Sequence, residues 1–166
     1  DGDDRYADFL LPFSFPFFGQ NFTELTISTN GNLYFSEPPV RTGLPPGVLD
    51  NADDPPGSPR QLGGYKMIAG LWEDLDLSTS VRADAGVYVT QTANQIIFRW
   101  QGVPCSFNGN VCTGGAPINF EIELNANGVI RSRYGSGNTG IVPTVGIGGG
   151  EQDGYVVDSH TSLDEQ

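Results

Sequence analysis

The sequence predicts an all-β protein, an antiparallel β-sandwich with long Pro/Gly-rich loops. Three observations carry that expectation. Phe120-Glu121-Ile122-Glu123-Leu124 and Ile130-Arg131-Ser132-Arg133-Tyr134 both alternate apolar and polar residues with period two, the pattern of strands with one buried face. Gly and Pro are abundant, at 23 and 12 residues, alongside many aromatic and β-branched side chains, which favours strands joined by turn-rich connections. No amphipathic helical stretch of useful length interrupts them. At 166 residues the chain suits one domain with a substantial core. Residues 1–157 are read as a single sandwich and 158–166 as a polar tail or linker.

Each element has its own signal. Asp1-Gly2-Asp3-Asp4 is a solvated acidic start, with no initiator Met, as expected of a processed chain or of a domain within a larger protein. Phe9 to Gly19 is an aromatic run broken by Pro12 and Pro16. Proline cannot donate to a ladder, so this run suits an edge strand or extended cover whose rings fill the core. Phe22–Thr29 and Asn32–Ser36 flank Asn30-Gly31, a strong short-range hairpin signal. Glu37 to Gly64 is proline-rich and reads as a long connection of the functional or mobile kind. Met67–Trp72 reads as a buried strand running into Glu73-Asp74-Leu75-Asp76. Gly86–Gln91 and Gln95–Trp100 form a hairpin around Thr92-Ala93-Asn94; both are apolar at most positions and read as central, covered on both faces. In the 120–134 hairpin, a loop of Ala126-Asn127-Gly128 sets Leu124 opposite Ile130 and Phe120 opposite Tyr134. It also sets Glu123 opposite Arg131 and Glu121 opposite Arg133, predicting an exposed charge ladder. Thr144–Gly148 and Gly154–Val157 are two further short strands.

Charge excludes several functions. The net charge is −12, with seven Arg and the single Lys66, a surface that repels phosphate backbones and argues against nucleic acid. No apolar run approaches the ~20 residues of a membrane span, so no transmembrane segment is expected. Catalysis finds little support. The one histidine, His160, sits in the polar tail, where no rigid element holds an orienting acid or an oxyanion hole. A glycosidase pair drawn from Glu73, Asp74 and Asp76 lacks any spacing that implies a cleft.

Hard oxygen ligands for calcium are available in three places. The preferred set is Glu73, Asp74 and Asp76, because alternation puts Asp74 and Asp76 on one side of an extended strand. Asp1, Asp3 and Asp4, or Asp50, Asp53 and Asp54, are the other sets, and a solvated acidic rim is the competing reading. Calcium, where bound, is expected to be structural; no other cofactor is expected. Cys105 and Cys112 flank a short polar loop and are expected to form a local disulfide, which implies an oxidising compartment; two free thiols are the alternative. Asn21-Phe22-Thr23 satisfies the N-glycosylation sequon, a triplet that a chain of this length carries about once by chance.

Taken in order, Leu11-Pro12-Phe13, Phe17-Phe18-Gly19, Ser28-Thr29-Asn30-Gly31, Leu33-Tyr34-Phe35, Ile68 to Asp76, Gly86-Val87-Tyr88, Phe98 to Pro104 and Phe120 to Leu124 with Asn127-Gly128 resemble the nidogen-type extracellular domain. Related bacterial β-domains beside secreted proteases and adhesins share the pattern. The resemblance covers roughly residues 9 to 150. It departs at Gly70, where the family commonly has Pro, and in the elaborated stretch from Glu37 to Gly64. It implies a secreted or cell-surface, non-catalytic structural or adhesion module whose partner is an extracellular protein or glycan. A carbohydrate-binding module, and a fibre subunit that self-assembles by strand exchange through Phe9–Phe17, are the alternatives.

Overall fold

The computed structural model describes residues 2–38, 59–107, 112–151 and 153–159. The proline-rich stretch 39–58, with Asp50, Asp53 and Asp54, lies outside the described residues, as do Asp1 and the tail from His160. Two antiparallel sheets pack face to face, as the sequence pattern requires. The first runs β1 (Tyr6–Phe17), β2 (Gln20–Ser28), β3 (Asn32–Tyr34), β4 (Lys66–Trp72), β11 (Thr144–Gly149), β12 (Tyr155–Ser159) in spatial order. The second runs β10 (Ile130–Tyr134), β9 (Ile118–Asn125), β7 (Gln95–Phe107), β5 (Leu75–Asp76). Two more strands, β6 (Gly86–Gln91) and β8 (Cys112–Gly114), pair with different stretches of β7.

The proline-broken aromatic run is the edge strand β1, and its pairing with β2 is irregular between Leu10 and Phe15, around Pro12. Phe18 and Gly19 both take positive φ, 44° and 71°, the conformation that a two-residue hairpin turn demands. Gly31 (φ 81°) turns β2 into β3 as the Asn-Gly signal predicts. The 120–134 hairpin adopts the predicted register at every position, with Gly128 (φ 85°) in the loop.

The main core lies between the sheets. Trp100 stacks on Phe120 with centroids 5.0 Å apart, and its indole N–H donates to Ser28 O of the opposite sheet at 2.9 Å. The Tyr134 hydroxyl likewise donates across to Gly70 O at 2.6 Å. Gly70 itself leaves room for Ile122: a Cβ there would meet the Ile122 side chain at 2.7 Å.

A second, smaller core covers the other face of the first sheet. Tyr34, Met67, Ala69 and Trp72 pack there with Leu62, which sits on a four-residue helix, α1 (Pro59–Leu62), that the sequence pattern does not announce. The glycines of β11 make this possible, since a Cβ on Gly146 would meet Leu62 and one on Gly148 would meet the backbone of Leu62 and Tyr65.

Two expectations need correction. β6 is not central: among the described residues it pairs with β7 alone, and Val89 to Gln91 are exposed; β7 lies between β6 and β9 but is not covered on both faces, since Arg99 is exposed. Its apolar composition reflects a Val-Tyr-Val sequence that suits strands generally, and says little about burial. The charge ladder is also not uniformly exposed. Glu123 is only 1% exposed because Arg131 and Arg133 fold over it from β10 and Asn125 donates to it at 2.7 Å.

Candidate functional site

The acidic N-terminal segment and β5 meet at one end of the sandwich. Gly2 and Leu77 exchange backbone hydrogen bonds of 3.2 and 3.1 Å, and Thr29 N donates to Arg5 O at 2.9 Å. Asn30 bridges the two segments, donating from Nδ2 to Asp4 Oδ1 at 3.0 Å and accepting from Leu75 N at 3.1 Å. The predicted hairpin asparagine therefore fastens the N-terminus to β5 as well as making a turn.

This fastening gathers the carboxylates. Asp3 and Asp74 each place an oxygen, and Cys105 its sulfur, within 4.8 Å of one another. Asp74 and Asp76 are both buried, and Asp76 accepts from Ser78 N at 2.8 Å. Burial, then the negative charges of Asp4 and Asp76, push the Asp3 carboxyl up to about 6. The carboxylate oxygens of Asp3 and Asp74 are hard donors of the kind calcium takes. No free cysteine exists among the described residues, so a thiolate is not part of that donor set.

Glu73 does something different. Its carboxylate is not among the converging groups; it lines an adjoining cleft of about 530 Å3 together with Pro104, Cys105, Thr139, Ile141 and Val142. Backbone N–H groups of Asp74 and Val142 donate to it, while partial burial, the larger influence, pushes its pKa up.

Of the predicted site residues, then, Asp74 comes together with Asp3, which the sequence offered in a separate set; Asp76 acts on Asp3 through its charge, and Glu73 stands apart. Cys105 lies opposite Gly114, and Phe107 opposite Cys112, on the paired strands β7 and β8. That pairing sets the cysteines on neighbouring strands. Asn21 is exposed in β2 near the β1–β2 turn. Sequence reasoning missed the cleft, because its wall at 139–142 carries no motif; the only signal was a carboxylate beside an apolar strand end.

No curated protein matches the chain, and no solved structure matches it. A family model described as NIDO related matches residues 1–165, in agreement with the nidogen-type resemblance and with the two-sheet fold. The chain belongs to the NIDO-related family.

Proposed function

We propose that this protein is a non-catalytic extracellular interaction module. The observation that carries the reading is the family match over residues 1–165, which points to an extracellular-type domain. The chemistry of the acidic end is consistent with it. Asp4 is tied through Asn30 to Leu75 N where the N-terminal segment meets β5, and Glu73 is held by two backbone N–H groups; these two carboxylates have structural work. Among the described residues no helix is long and apolar enough to cross a membrane. In this reading a calcium ion at Asp3, Asp74 and Asp76 stabilises the N-terminal joint, and a Cys105–Cys112 bond pins the β7–β8 turn. Alkylation and mass measurement of native, non-reduced protein checks the bond: two labelled thiols would remove it.

The alternatives draw less support. Trp72 and Trp100, the strongest candidates for stacking on sugars, are both fully buried. The Phe9–Phe17 run lies within β1, pairs with β2 of its own chain, and puts Phe15 and Phe17 in its own core. Donating that run to a neighbour would require it to leave its own sheet.

The test is binding of the labelled protein to matrix and cell-surface preparations, before and after protease or periodate treatment. Binding lost to protease alone supports the module. Binding lost to periodate alone moves the assignment to carbohydrate recognition, and no binding to any preparation contradicts both.

A further inference from the structure

We propose that the cleft beside Glu73 docks a basic segment of a protein partner. It takes a Lys or Arg side chain with its stem against Pro104, Ile141 and Val142 and its cationic head at the Glu73 carboxylate. The inference rests on the interaction-module reading and gives it a site and a partner chemistry.

Three features select that occupant. The cleft, at about 530 Å3, falls within the range of ligand sites, roughly 300–1,000 Å3, and has room for a side chain and adjoining backbone. Its lining joins apolar walls to one carboxylate, which matches the divided character of Lys and Arg, whose stems cover apolar surface while their heads seek an anion. The Glu73 carboxylate has about four lone-pair directions, and the N–H groups of Asp74 and Val142 fix its orientation, so an incoming donor meets a positioned acceptor.

Electrostatics extends beyond the cleft. Asp3, Asp4, Asp74 and Asp76 are gathered at the same end, on a chain of net charge −12. Such a field attracts cationic segments and repels acidic peptides and phosphates. A purely apolar ligand would bury the carboxylate further with nothing in return. A sugar would find no aromatic platform, since among the described residues no aromatic ring lines the cleft.

The experiment uses the full chain and fluorescently labelled hexa-arginine and hexa-lysine peptides, with hexa-glutamate as control, read by anisotropy at about 150 mM salt. Binding of the basic peptides is expected to weaken about tenfold or more in Glu73→Gln. Glu24→Gln removes the same charge from an exposed position on β2 and is expected to change affinity by less than about twofold. Val142→Arg, at a residue 46% exposed, places a cation at the cleft and is expected to weaken binding like Glu73→Gln. A thermal melt confirms that each variant folds. Equal losses in Glu73→Gln and Glu24→Gln, or no binding of basic peptides, overturns the proposal. The broader reading fails separately: protease-sensitive surface binding that is unchanged in Glu73→Gln and Val142→Arg leaves the module intact and removes this site.

Discussion

Gly148→Ala is a small change with a large expected effect. A methyl there would lie 2.6 Å from Tyr65 O and nearer still to Leu62 O, where ordinary contact is about 3.5 Å. The chain carrying α1 must therefore lift from the first sheet by about 0.9 Å or more. Both obstructing atoms are backbone, so no side-chain rotation relieves the clash. Lifting this chain loosens Leu62, which is fully buried against Met67, Ala69 and Trp72. Overpacking of this kind costs about 1–3 kcal/mol, and Leu62→Ala alone should cost about 2–5 kcal/mol. Because the two changes disturb the same contact, the double variant should fall short of their sum by about 0.5–3 kcal/mol. Urea unfolding followed by tryptophan fluorescence measures all three, with Trp72 reporting from this core. A cost for Gly148→Ala below about 0.5 kcal/mol, or strict additivity with Leu62→Ala, would refute the claim that the β11 glycines exist to seat α1.

Three further outcomes follow from the same structure. Leu124→Ala should cost about 2–5 kcal/mol by urea unfolding, whereas Arg131→Ala should cost about 1 kcal/mol or less, because Glu123 keeps Arg133 and Asn125. Asn125, Arg133 and Arg131 hold the Glu123 carboxyl down at about 2, below its ordinary value of 4.5. Its stabilisation is therefore present above pH 4.5 and lost as pH falls towards 2, so the stability gap between the native protein and Glu123→Gln should close over that interval in a pH series of melts. Calcium should raise the melting temperature, EGTA should reverse the rise, and Asp74→Asn should abolish it; a melt indifferent to calcium would remove the ion from the account.

How much of this was legible depended on how many local signals agreed. At the 120–134 hairpin, alternation, a glycine turn and opposite charges all specify one register, and the structure adopts it. Pro12 and Pro16 marked β1 as an edge because a missing N–H is a local property. Burial was harder to read. Nothing in Val87-Tyr88-Val89 separates an edge strand from a central one, since the difference lies in how many neighbours pair with it. Glu123 is buried by arginines on the next strand, so its sequence neighbours gave no warning. Asp74 and Asp76 were recognisable as a pair by alternation. The meeting of Asp74 with Asp3 depends on Gly2 bridging to Leu77, a contact spanning most of the first half of the chain that no short pattern encodes. The Gly-rich β11 showed its glycines but not the segment they make room for.

Turnover by the purified full chain tests the central claim of a binding module without catalysis. Glycoside, ester and peptide substrates are presented with and without calcium, and product is followed against a buffer blank. The expected result is no turnover above the blank under any condition, with surface binding retained by the same preparation. Turnover that disappears in Glu73→Gln or Asp74→Ala, in variants that still melt cooperatively, would contradict the account and make this acidic end an active site.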